Sequence, residues 1–142
     1  MTFASLIEPA TLRAYRETHY RVHVEPPVTL RIGRPCPALA HLHRRHRASC
    51  SAFVTACNPF GRPLDEAANG SRMVALAREL AERSLDSLEA IGEHPSNGWP
   101  AEPSLLVLGL EREATRALGE RLDQNAVLWI GDEAVPELIL LR

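Results

Sequence analysis

The chain has 142 residues, 45% of them apolar and 24% charged. That is long enough for one buried core and too apolar for a disordered chain. No apolar run reaches the length of a membrane helix, and the start "MTFASLIEPATLR" lacks the basic residues and apolar stretch of a signal peptide. A single globular domain over residues 1–142, in the cytoplasm and away from membranes, is the expectation.

The net charge of −2 is unevenly spread. Residues 1–63 carry nine Arg and three Glu, a net +6, whereas residues 64–142 carry seven Arg and fifteen acids, a net −8. All 16 basic residues are Arg, which fits a GC-rich bacterial genome. Two readings of the asymmetry stand side by side. The first half docks an acidic protein or a nucleic acid, or an acidic helix simply lies against a basic one. The second is favoured. Cys36, Cys50 and Cys57 form no C-x-x-C pair and are expected reduced and mostly buried.

In chain order, "EPATLRAYRETHYRV" opens with a helix whose first turn suits Pro9, and Leu12, Tyr15 and Thr18 share a face. "HYRVHV" alternates as a strand until Glu25-Pro26-Pro27 stops it. "VTLRIG" is a second strand, and "PALAHLHRRHR" a short helix burying Leu39 and Leu42. "SAFVTAC" (Ser51–Cys57) is apolar on both faces, as a central strand is. A helix capped by Asp65 follows, with Met73, Leu76, Leu80, Leu88 and Ile91 in one stripe, and stops at Gly92. "EHPSNGWPAEP" is a loop. "SLLVLGL" (Ser104–Leu110) is the strongest strand, and "EREATRALGERLDQ" a helix. "NAVLWI", "GDEA" and "VPELILL" close the chain as a β-hairpin. The expected class is α/β, with α+β as the alternative: a mixed sheet of about four or five strands with helices packed on it.

The chemistry gathers at element junctions. Asn58 follows a strand, and Pro59 keeps it out of helix, so its amide is presented from a stiff turn. Asn69 and Arg72 lie one turn apart on the next helix, where backbone N–H groups favour anions. Glu102 stands beside Trp99 just before the strong strand; burial would make it a general base. Equally, it pairs with Arg72 while Trp99 covers the core edge. Gln124 and Asn125 sit at a helix-to-strand junction, where amides satisfy helix-end carbonyls or read a ligand. Tyr15, Thr18 and Tyr20 form either a hydroxyl-rimmed aromatic lid or core packing. Asn58 and Arg72 also admit a purely structural reading as turn cap and ion-pair partner of Glu66 or Glu79.

Together "AYRETHY", "FVTACNPFGRPLDEAANGSR", "WPAEPSLLVLGL" and "LDQNAVLWIGDEAVPELILL" resemble the small bacterial family called domain of unknown function 3293. The resemblance runs from Tyr15 to Leu141, through T-A-x-N-P, N-x-x-R, E-x-S-x-L-V-x-G and Q-N-A-x-x-W blocks. It implies that Asn58, Pro59, Asn69, Arg72, Glu102, Ser104 and Gln124 belong to one constellation, and it brings no activity. Cys57 departs from the pattern, where Trp is usual; the smaller group opens space beside the turn.

"HLHRRHR" (His41–Arg47) invites a metal or nucleic-acid reading. No matching Cys or His pair follows and no aromatics interleave, so a solvated Arg/His face is expected, with neither metal nor cofactor. Cys57 lacks an evident activating His. G-x-G-x-x-G, P-loop and G-x-S-x-G motifs are absent from the sequence. The expected function is binding of a polar small molecule, nucleotide-like or carboxylate-bearing, at the Asn-Pro turn through Asn58, Asn69, Arg72, Glu102 and Gln124. The alternatives are a small enzyme using Glu102 as acid or base, and a protein-interaction module.

Overall fold

The structure, a computed structural model, describes residues 5–142. The described elements run α1 (Pro9–Glu17), β1 (His19–Val22), β2 (Val28–Leu30), α2 (Pro37–Arg45) and β3 (Ser51–Val54). A 3-10 turn (Pro59–Gly61) leads to α3 (Glu66–Glu82), β4 (Ser87–Glu93), β5 (Glu102–Leu108), α4 (Arg112–Arg121), β6 (Ala126–Ile130) and β7 (Pro136–Leu140). Local chemistry marks the ends: Pro9 and Pro37 open α1 and α2. Asp65 caps α3, its carboxylate accepting from Ala68 N at 2.7 Å.

The strands form one sheet in the order β2-β1-β4-β5-β3-β6-β7, and every pairing is antiparallel. The class is therefore α+β, and the expected mixed sheet of four or five strands becomes an antiparallel one of seven. One element explains the change. The helix expected to run to Gly92 ends at Glu82, where Ser84 turns to φ 57° and Leu85 N donates to Leu80 O at 3.0 Å. Residues 87–93 then form β4, inserted between β1 and β5. With a helix alone between β3 and β5 the two would run parallel; the added strand reverses β5.

The sheet curls. Past the edge strand β2, Gly33 N donates to Pro136 O, and Cys36 N to Ala134 O, each at 2.9 Å. Those acceptors lie at the start of the opposite edge strand, so the two edges meet at one end. The concave interior holds Val22, Leu30, Phe53, Leu106, Leu128 and Ile130, closed by Leu39 and Leu42 of α2. The convex face carries Ala52, Val54, Leu105, Val107 and Val127 against Leu76 and Leu80 of α3 and Leu118 of α4. Each of these fully buried leucines contributes roughly 1.5–3 kcal/mol of apolar burial. β3 is buried along its whole length, as an interior strand apolar on both faces should be.

Two expectations are corrected by this layering. The basic α2 lies inside the curl and the acidic α3 outside it, so they do not pack together; Glu79 of α3 instead pairs with Arg121 of α4. Nor is "HLHRRHR" wholly a solvated face. His43 points inward, 4% exposed, with Nε2 2.7 Å from Ser51 Oγ. Burial pulls its pKa down, against the opposing field of Asp132. His41, Arg44 and Arg45 are exposed. All three cysteines are free; Cys50 and Cys57 are buried and Cys36 partly so. Among the described residues, no helix is long and apolar enough to cross a membrane.

Candidate functional site

Antiparallel pairing gathers the motif residues at one end of the curl. Val54 lies opposite Leu105, so the residues following β3 run beside the start of β5, bringing Asn58 to Glu102. Phe53 lies opposite Leu128, which brings the same turn to the start of β6 and Gln124. The end of β4 and the start of β1 reach this end too, through the Tyr20–Gly92 and Gly92–Glu102 pairs.

Asn58 is the hub. Its backbone is left-handed (φ 50°, ψ 62°), a conformation Asn tolerates better than most residues. Asn58 N donates to Asn69 Oδ1, and Asn69 Nδ2 donates back to Asn58 Oδ1, both at 2.9 Å. Leu64 N donates to the same Oδ1 at 3.0 Å, which closes the Pro59–Pro63 loop. The remaining side-chain group, Nδ2, donates to Glu102 Oε2 at 2.6 Å. Arg72 braces the turn from α3: its Nε donates to Ala56 O and its Nη2 to Leu122 O at 2.9 Å. Gln124 Nε2 completes the brace with Cys57 O at 3.0 Å and Leu122 O at 3.3 Å.

The five expected site residues thus meet in one region, with distinct tasks. Asn58, Asn69, Arg72 and Gln124 bind the turn to α3 and to the α4–β6 junction. Arg72 pairs with neither Glu102 nor the acids of its own helix; Glu79 is engaged by Arg83 and Arg121. Glu102 faces open space.

That space is a cavity of about 510 Å³ between α1 and the concave sheet face. Its floor is Tyr20, Phe53, Gly92, Ser104 and Leu128; its walls include Tyr15, Thr18, Glu102, Gln124 and Asn125. Two forces leave it unfilled: α1 buries no residue completely, and Gly92 contributes no side chain. A Cβ on Gly92 would stand 3.8 Å from the Tyr20 ring, in ordinary contact, so that side of β4 faces the opening. A smaller cavity of about 220 Å³ adjoins the turn, lined by Cys57, Asn69 and Pro103 among others, with Asn58, Trp99 and Glu102 shared between the two. The space expected beside Cys57 is present. Phe60 and Trp99 are 44% exposed, both on the larger cavity's lining.

The electrostatics follow from partial burial. Desolvation raises the Glu102 pKa, with hydrogen bonds from Asn58 and Trp99 acting in the opposite direction. Desolvation also raises the Tyr15 pKa, and that of Tyr20 strongly. The Cys57 thiol is pushed up for the same reason and is held as thiol. Tyr20 both lines the cavity and packs edge-on against Phe53 at 5.2 Å, and its hydroxyl donates to Tyr15 O at 2.7 Å. The lid and the core packing foreseen for it are therefore combined. The α1 lid is tied down by Asn125 Nδ2 to Tyr15 Oη at 3.3 Å and by the His94–Glu17 pair at 3.0 Å.

Gly92, His94 and Phe60 line the cavity without having been singled out beforehand. A glycine inside a strand was the available signal for Gly92, hidden because those residues read as helix.

A curled antiparallel α+β domain with a partly polar cavity under its N-terminal helix is the class these features define. The chain belongs to the family described as a protein of unknown function (DUF3293), whose model matches residues 54–127. The match takes in the Asn58 turn, α3, Glu102 and Gln124, and leaves α1 and β7 outside it, a narrower span than Tyr15–Leu141. No curated protein and no solved structure matches the chain.

Proposed function

We propose that this protein binds a polar small molecule in the cavity beneath α1, against Glu102 and the Asn58 turn. The observation that carries the reading is the cavity of about 510 Å³ with a partly buried carboxylate on its wall. That volume lies in the range of about 300–1,000 Å³ typical of ligand pockets. Aromatic and aliphatic surfaces surround a few polar groups, as such pockets require. Asn58, Asn69, Arg72 and Gln124 serve by holding the turn, so that the Asn58 amide orients Glu102. The all-Arg composition supports a GC-rich bacterial source.

A thermal-shift screen of nucleotides and metabolites tests the reading. A compound that stabilises the wild type and not Gly92→Leu, which fills the floor, supports it. Equal stabilisation of both variants places the binding elsewhere.

A second reading, catalysis, draws on Glu102 alone. A carboxyl whose pKa is raised by burial and which faces a cavity is suited to acid–base work. Turnover of a bound compound by the wild type, lost in Glu102→Gln with binding retained, distinguishes it from simple binding.

A further inference from the structure

We infer that the ligand of this cavity is a hydrogen-bond donor: it presents a planar cationic or N–H-rich group, such as an amidinium or the amino edge of a nitrogen heterocycle, to Glu102. The inference deepens the binding reading above and rests on it.

Several groups on the lining turn only lone pairs to the cavity, because their protons are already engaged. Thr18 spends its hydroxyl proton on Ala14 O, Tyr20 on Tyr15 O, Thr55 on Pro103 O and Ser104 on Glu102 O, at 2.7–3.0 Å. Both N–H bonds of Gln124 go to backbone carbonyls. Those groups therefore face the cavity with lone pairs only. The Tyr15 hydroxyl, which accepts from Asn125, keeps a proton to give, and Asn97 and Trp99 carry side-chain N–H groups on the same lining.

Charge points the same way. Glu102 is the only carboxylate among the described lining residues, and no Arg is among them; the sequence has no Lys. Arg72 is directed into the backbone behind the turn. Arg142 stays at the rim, 4.7 Å over the Phe60 ring and donating to Asn125 Oδ1 at 2.9 Å. His94 turns away from Glu102: its Nδ1 accepts from Ser96 N and Asn97 N, and its Nε2 faces Glu17 at 3.0 Å.

Glu102 itself is under-supplied. Asn58 gives it a side-chain hydrogen bond at 2.6 Å and Trp99 a further one, whereas a carboxylate offers about four acceptor positions. A cationic donor entering the cavity would supply charge-assisted bonds to the rest. The Tyr15 and Trp99 rings on the lining suit a flat cation. An anionic ligand would meet the Glu102 carboxylate and no arginine on the described lining.

Benzamidine and benzoate, matched in shape and opposite in charge, test this by protein-observed NMR on the wild type and Glu102→Gln. Benzamidine should shift the Gly92 amide and the Trp99 indole signals and bind at least about tenfold more tightly than benzoate. Glu102→Gln should erase that preference. Benzoate binding at Gly92 as tightly as benzamidine overturns the donor assignment and leaves the cavity reading standing. A preference that survives in Glu102→Gln overturns the role of Glu102. No shift at Gly92 or Trp99 with either fragment overturns both readings.

Discussion

Asn58 and Asn69 hold each other by two reciprocal hydrogen bonds across eleven residues of chain, backbone N–H to Oδ1 and Nδ2 to Oδ1, both at 2.9 Å. The pair joins the end of β3 to the first turn of α3 and leaves the second amide group of Asn58 free for Glu102. Turn and carboxylate are therefore one mechanical unit.

Asn69→Ala should accordingly lower stability by about 1–3 kcal/mol, because a partly buried donor and acceptor each lose a partner. Asn58→Gly keeps the left-handed backbone and loses only the amide. A double-mutant cycle in urea between the two should show coupling of roughly 0.5–3 kcal/mol. Additive effects would mean the pair is not formed in solution.

Arg72 reaches two backbone carbonyls from two different nitrogens. A lysine has one point of contact and cannot span both. Arg72→Lys should thus be destabilised nearly as much as Arg72→Ala, by about 1.5–3 kcal/mol, in chemical denaturation. Full rescue by Lys would show that charge alone matters there.

Glu102 has a folded-state pKa raised above 4.5 by burial. The folded state therefore holds this proton more tightly than the unfolded state. Its contribution to stability falls as pH rises from 4.5 through the folded pKa. Glu102→Gln should be more stable than the wild type at neutral pH, and the difference should vanish below pH 4.5, measured by melting temperature across pH. A variant less stable at neutral pH would contradict the desolvated carboxylate.

His43 shifts in the opposite sense, its folded pKa lying below 6.5 because the ring is buried neutral against Ser51. The stability it protects is complete above pH 6.5 and is lost as pH falls through the folded value. His43→Leu should remove that slope, whatever its offset in absolute stability. An unchanged pH profile would show that His43 is not buried neutral.

Much of this was legible in the sequence. Asp65 as a cap, Leu39 and Leu42 as inward residues, β3 as an interior strand and the terminal hairpin all follow from local signals. Spacing placed Asn58, Asn69 and Arg72 near one helix start, whereas joining Glu102 and Gln124 to them is what the family resemblance implies. β4 was not legible, because Leu88 and Ile91 stand three residues apart and extend the stripe of α3, and because Ser84 rather than Gly takes the left-handed turn. Without β4 the antiparallel order is hidden, and with it the curl. His43 was obscured by its charged neighbours, since only the tertiary fold brings Ser51 to it. Whether Arg72 meets a ligand or the backbone depends on the position of Leu122, fifty residues away. The cavity arises from how α1 lies over the concave face, a packing relationship with no local signature.

The most direct test of the central claim is native mass spectrometry of wild type and Gly92→Leu purified in parallel. The leucine extends from an ordinary strand position into the cavity floor, next to the Tyr20 ring. A compound carried by the wild type and absent from an equally stable Gly92→Leu is the predicted result. The same compound retained at full occupancy by Gly92→Leu would contradict it.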